Sequence, residues 1–228
     1  RAQRNHPVDL PNLFSIPANR IFKNPTDLSY LKVRIQTPKE DKVIEIHKNN
    51  LEKFGKLTPL PPFGNAPEIQ KYLQTSAWVQ SDHPEIMAAA KSITESETSP
   101  LKKVLKINRW LHENILPIPT IGIPRALDVL TQKRGDCNEY TVLFTAMTRS
   151  LGIPTRMQAG LIYQKGRFFY HAWPEVFFGE WISMDPTFGQ APADATHIPL
   201  VEGDMDQQIA LASQIGRIKI LILESSEH

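Results

Sequence analysis

The chain has 228 residues, 41% of them hydrophobic and 22% charged, and 26 basic against 24 acidic side chains give a formal net charge of +2. That balance suits one main globular domain with an extension and excludes a disordered chain, and without a dense Lys/Arg run it excludes an electrostatic footprint for nucleic acid. A single cysteine excludes an intrachain disulfide and a multi-cysteine zinc site, and no apolar run approaches the roughly 20 residues of a membrane-spanning helix. The chain begins at Arg1 without a methionine or an apolar signal core, which suggests a processed or truncated chain and fits export to a bacterial periplasm or cell envelope.

Residues 1–28 are rich in Pro and Asn and read as an irregular arm. Alternation of Leu31, Val33 and Ile35 with polar residues, then a second run from Val43 to His47 beyond Pro38–Asp41, predicts a β-hairpin. The prolines between Pro59 and Pro67 can continue neither strand nor helix, so a linker ends an N-terminal extension at residues 1–66. Helices follow, one near Glu68–Gln74 and one from Pro84 capped by Ser81 or Asp82. A third runs from Pro100, with Leu101, Val104, Leu105, Ile107, Leu111 and Ile115 on one face. His112 and Glu113 on that helix have no partner spacing for a metal site and read as surface positions. The main domain covers residues 67–200, and residues 201–228 form a tail with a strand that packs on it.

Around Cys137 the sequence reads Gly135-Asp136-Cys137-Asn138-Glu139, and the offset of Asp136 from Glu139 is that of a capping box. Asp136 is then the N-cap of a helix whose apolar face is Tyr140, Leu143, Phe144, Met147 and Leu151, ended by Gly152 and Pro154. Cys137 becomes its first residue, where unpaired N–H groups and the helix dipole favour a thiolate. A lone cysteine is otherwise a small gap-filling hydrophobe, so its partners decide. The Asp136 carboxylate raises a neighbouring thiol pKa and so reads as a cap rather than a catalytic group.

Downstream, runs at 155–163, 167–178 and 181–185 predict an antiparallel meander, with His171, Trp173, Glu175 and Phe177 on one face of its middle strand. Pro174 in that strand demands an edge or a bulge. Singly, a strand histidine and an Asp185-Pro186 pair say little. Jointly they matter, because a thiolate nucleophile needs an imidazole for its proton and the imidazole needs a carboxylate to fix its tautomer. In a two-residue hairpin at Gly179-Glu180, Asp185 would oppose Pro174 and face away from His171. A three-residue connection, Phe178-Gly179-Glu180, sets Asp185 opposite Trp173 and diagonal to His171.

Four blocks in order, Gly135-Asp136-Cys137, Leu151-Gly152-Ile153-Pro154, His171-Ala172-Trp173-Pro174-Glu175-Val176 and Trp181-Ile182-Ser183-Met184-Asp185-Pro186-Thr187, resemble the motifs of the transglutaminase-like superfamily. The resemblance implies an α+β papain-like core, with a central nucleophile helix packed on an antiparallel β-sheet. It also implies Cys137 as nucleophile, His171 as general base and acid, and Asp185 as orienting carboxylate, with neither organic cofactor nor metal. Gln132 is the candidate second oxyanion donor, and Asp136, Trp173 and Glu175 are neighbours of the site. The implied activity is that of a cysteine-nucleophile amide hydrolase or acyltransferase on protein or peptide substrates, leaning to protease-like hydrolysis. Glutamine transamidation or deamidation, or a non-catalytic peptide-binding module, are the alternatives. Oligomeric state is left open.

Overall fold

The computed structural model describes residues 15–54, 66–118, 122–203 and 205–227. The start of the N-terminal arm and most of the Pro-rich linker expected before Pro67 lie outside the described residues. In chain order the elements begin with strands β1 (Ser15–Pro17), β2 (Leu28–Gln36) and β3 (Asp41–His47) and helices α1 (Pro67–Gln70), α2 (Pro84–Thr94) and α3 (Pro100–Asn114). Then come β4 (Leu116–Pro117), α4 (Ala126–Gln132), β5 (Arg134–Gly135), α5 (Cys137–Ser150), β6 (Thr155–Gln164), β7 (Arg167–Phe177) and β8 (Trp181–Ser183). Strand β9 (Ile198–Glu202), helix α6 (Met205–Ala212) and strand β10 (Lys219–Glu227) complete the chain. The architecture is the α+β arrangement that the sequence implies.

Helix α2 carries Pro84 at its first position, so the residue before it caps. His83, rather than Ser81 or Asp82, does so, its Nδ1 accepting from the Glu85 N–H at 3.3 Å. On α3 the predicted stripe of Leu101, Val104, Ile107 and Leu111 is buried. Helix α5 departs from the expected single apolar face, because every residue from Glu139 to Thr148 is buried. Helices α2, α3 and α4 pack around it and β7 lies against it, so its polar threonines are inside as well. Thr148 is satisfied there by Phe144 O and Thr155 Oγ1, both at 2.8 Å.

The main sheet has the order β1-β7-β6-β9, with β8 also on β7. Strand β6 follows one edge of β7 through an unbroken register from Gln164↔Arg167 to Thr155↔Val176, so no bulge forms at Pro174. On the other edge β1 covers Arg167–Phe169 and β8 covers Glu175–Phe177. Pro174 lies just beyond the end of β8, where its missing N–H takes no bond from the β7–β8 ladder. Among the described residues, Tyr170 to Trp173 have no strand on this edge, and α5 starts against it. Phe177 opposes Trp181 and Glu175 opposes Ser183, so the β7–β8 connection has the three residues Phe178 to Glu180. Met184 N–H donates to Pro174 O at 2.9 Å, which continues that register toward Asp185.

The hairpin β2–β3 forms as expected, and the C-terminal strand β10 pairs with β2 through Ile220↔Ile35 and Ile222↔Val33. Extension and tail therefore build one three-stranded sheet between them. Its buried Leu31, Val33 and Ile35 pack in one cluster with Ala159, Leu161 and Phe168 of the main sheet. Each such aliphatic side chain stabilises by roughly 1.5–3 kcal/mol. This second core backs the face that carries the site. Among the described residues, no helix is long and apolar enough to cross a membrane.

Candidate active site

Cys137 is the first residue of α5, and the cap behind it is a full capping box. Asp136 Oδ1 accepts from the Asn138 N–H at 2.9 Å, and Glu139 Oε2 accepts from the Asp136 N–H at 3.0 Å. The returning Glu139 side chain passes directly over Gly135: a Cβ at that position would lie 2.2 Å from Glu139 Cβ. The glycine of the Gly-Asp-Cys block is thus required by the cap. Burial together with Glu139 pushes the Asp136 carboxyl up to about 7, which weakens its repulsion of a neighbouring thiolate.

Cys137 itself is half-buried, and the Ala172 amide on the uncovered edge of β7 donates toward its sulfur. Burial, reinforced by Asp136, pushes the thiol pKa up. The helix start, which favours a thiolate, is thus opposed by desolvation and by a neighbouring carboxylate. A partner must take the proton. Tyr170 on the same edge ties β7 to the helix through its hydroxyl, 3.1 Å from Asn138 Oδ1.

His171, next to Ala172 in β7, is buried, and its Nε2 lies 2.8 Å from Asp185 Oδ2. The carboxylate can only accept, so Nε2 carries the hydrogen, and in the neutral ring the lone pair stands at Nδ1. Asp185 is fully buried, and its Oδ1 takes the N–H groups of Thr187 (2.8 Å) and Phe188 (3.1 Å). Burial opposes ionisation of Asp185, but His171 and His197 hold its carboxyl well below the usual range. The sequence reading missed His197. Its Nε2 sits 2.9 Å from the same Asp185 Oδ2. Burial opposes its charge, yet Asp185 and Asp194 push it up to about 9.

Residues 87–186 match the family model described as the transglutaminase-like superfamily, a span that takes in Cys137, His171 and Asp185. Over this span, rather less than half of its length, the chain is similar to the transglutaminase-like superfamily. It is 33% identical over 114 residues to an uncharacterized protein of Mycobacterium leprae, covering 45% of this chain and 40% of that one. Over 129 residues it is 31% identical to a protein-glutamine gamma-glutamyltransferase of Pseudomonas aeruginosa, covering 48% of this chain and 19% of that protein. The chain thus spans less than half the length of these curated relatives. A Cytophaga hutchinsonii structure provisionally described as a cysteine protease superposes with a TM-score of 0.61 at 18% identity, covering 94% of this chain and 81% of that one, and shares the fold.

Within this transglutaminase-like core the other candidates fall in different places. Trp173 is buried and stacks on His171 with ring centroids 6.1 Å apart. It has room because residue 160, opposite His171 on β6, is glycine; a Cβ there would come within 3.0 Å of the Trp173 ring and 1.9 Å of Ile198 O. Glu175 points into a polar network, bonded to Arg156 (2.7 Å), Gln158 (3.1 Å) and Ser183 (2.6 Å). Gln132 is exposed at the end of α4, where its Oε1 accepts from Arg134 Nε at 3.3 Å. The cavity it lines, with Gly122–Arg125, Asp128 and Glu139, does not include Cys137. His171, Asp185 and His197 offer metal-ligand atoms within 4.8 Å of one another. Both imidazole–carboxylate distances, however, are those of direct hydrogen bonds.

Proposed function

We propose that this transglutaminase-like core is a cysteine-nucleophile enzyme that transfers the acyl group of protein or peptide amides through a thioester on Cys137, with hydrolysis as the leading outcome. The observation that carries the reading is the His171–Asp185 bond at 2.8 Å on β7, the strand whose Tyr170 hydroxyl, 3.1 Å from Asn138 Oδ1, ties it to the start of the Cys137 helix. Asp185 fixes the Nε2–H tautomer of His171, and Nδ1 accepts the thiol proton as Cys137 Sγ attacks the amide carbonyl. The oxyanion is met by the Cys137 N–H, which helix geometry leaves without an intrahelical acceptor. Collapse breaks the C–N bond, and His171 returns the proton to the leaving amine. Water or a second amine then attacks the thioester, gives its proton to His171, and the thiol is restored.

Glutamine transamidation is the second reading, and the sequence match to the Pseudomonas gamma-glutamyltransferase favours it. Incubation with a glutamine-containing protein and a labelled amine, read by mass spectrometry, separates the two. Hydrolysis gives cleaved peptides or deamidated glutamine, transamidation gives the amine adduct, and Cys137→Ala gives none of these. Product formation that persists in Cys137→Ala refutes the nucleophile assignment.

A further inference from the structure

Asp185 meets more donors than a carboxylate that only fixes a histidine tautomer needs. Its Oδ2 is shared between His171 Nε2 at 2.8 Å and His197 Nε2 at 2.9 Å. His197, in the turn before β9, is 2% exposed, so water cannot complete its hydrogen bonding. Its second nitrogen, Nδ1, lies 3.1 Å from Asp194 O and 3.4 Å from Asp194 Oδ1. Both ring nitrogens therefore face oxygens that can only accept. A neutral imidazole has one N–H and one lone pair, so one nitrogen would be set against an acceptor with no hydrogen between them inside the core. An imidazolium satisfies both ends.

Asp194 is built as a fixed counter-ion. Its Oδ1 takes the N–H (2.8 Å) and hydroxyl (2.6 Å) of Thr196, and its Oδ2 takes Gln190 Nε2 at 2.8 Å. Among the described residues, the titratable groups around His197 are Asp185, Asp194 and His171, the last with its ring centroid 5.7 Å away. This matters at Cys137, because the Asp185 charge that orients His171 also opposes a thiolate there.

We propose that His197 is a positioning residue: a standing imidazolium, clamped between Asp185 and Asp194, that lets Asp185 orient His171 without its charge opposing the Cys137 thiolate. The proposal rests on the reading of Cys137 as nucleophile and His171 as its base. It extends the site from three residues to four, with Asp194 outside as counter-ion.

Two measurements test it. In the wild-type protein carrying 15N-labelled histidine, nitrogen NMR should show both His197 ring nitrogens protonated from pH 6 to 8. The resonance is assigned in wild type, uniformly labelled with 13C and 15N, by correlation from the His197 backbone amide to its own ring. A neutral-tautomer signature for His197 at neutral pH overturns the proposal, and this arm decides alone if the variant does not fold. The second measurement is the pH profile of iodoacetamide alkylation at the single cysteine. His197→Gln can keep an N–H toward Asp185 but carries no charge, so its midpoint should move up by about one pH unit, the size of effect one nearby charge produces. An unmoved midpoint in folded His197→Gln overturns the charge role. If wild type and His171→Ala alkylate alike, the reading of the base fails instead, while NMR still decides the state of His197.

Discussion

Asp185→Asn exchanges one oxygen for an NH2 group at a fully buried position and disturbs four hydrogen bonds at once. The Thr187 and Phe188 N–H groups hold the remaining oxygen in the Oδ1 place, so the new NH2 must stand at Oδ2, facing both histidine Nε2 atoms. Two donors cannot share that space with a third, so each ring has to present a lone pair. His171 then moves its hydrogen to Nδ1, the nitrogen needed to accept the thiol proton, and His197 loses its charge. With no base, and with burial raising the thiol pKa, Asp185→Asn should alkylate more slowly than a cysteine in a short peptide. Acyl transfer should drop by about 10^4, the size of effect that a tautomer inversion produces in a Ser-His-Asp triad.

Stability follows from linkage. The pKa of His197 is raised from 6.5 to about 9 on folding, so its contribution is full below pH 6.5 and is lost as pH rises through about 9. That shift corresponds to roughly 3 kcal/mol at low pH and to a decline of roughly 2 kcal/mol between pH 7 and 9. Urea melts from pH 6 to 9.5 should show this decline in wild type and a much flatter curve in Asp185→Asn. Equal pH dependence in the two proteins, with unchanged alkylation, would refute the reasoning.

Gly135→Ala forces its Cβ against Glu139 Cβ, which opens the capping box and should destabilise by about 1–3 kcal/mol in denaturant melts; an unchanged midpoint would show that the cap tolerates the shift. Asp136→Ala should cost about 0.5–2 kcal/mol through loss of the N-cap, measured in the same way. Cys137→Ala should leave stability nearly unchanged while removing acyl transfer, because a thiol and a methyl at a half-buried helix start differ little in packing. A large drop in its melting temperature would support a structural role for the cysteine.

What was legible in the sequence was local chemistry. Asp136 and Glu139 announce the start of α5 because a capping box is a signal only four residues long, and the three-residue loop after Phe177 follows from strand alternation once His171 and Asp185 are required on one face. Long-range matters were not legible. Nothing in residues 219–227 says that β10 pairs with β2, because the pairing depends on chain ends that only the folded core brings together. Burial of α5 on all sides, and the raised thiol that follows from such packing, depend on how many elements surround the helix and not on its own periodicity. His197 lies in an irregular turn with no period to mark its direction. The short Asp194-Ala195-Thr196 turn before it, closed through Asp194 Oδ1, was the only local hint.

The most direct test of the central claim is brief exposure to p-nitrophenyl acetate followed by intact-protein and peptide mass spectrometry. One acetyl group should appear on Cys137, labile to hydroxylamine as a thioester is, formed rapidly in wild type, slowly in His171→Ala and Asp185→Asn, and absent from Cys137→Ala. Acetylation that avoids Cys137, or that proceeds at the same rate in His171→Ala as in wild type, would contradict it.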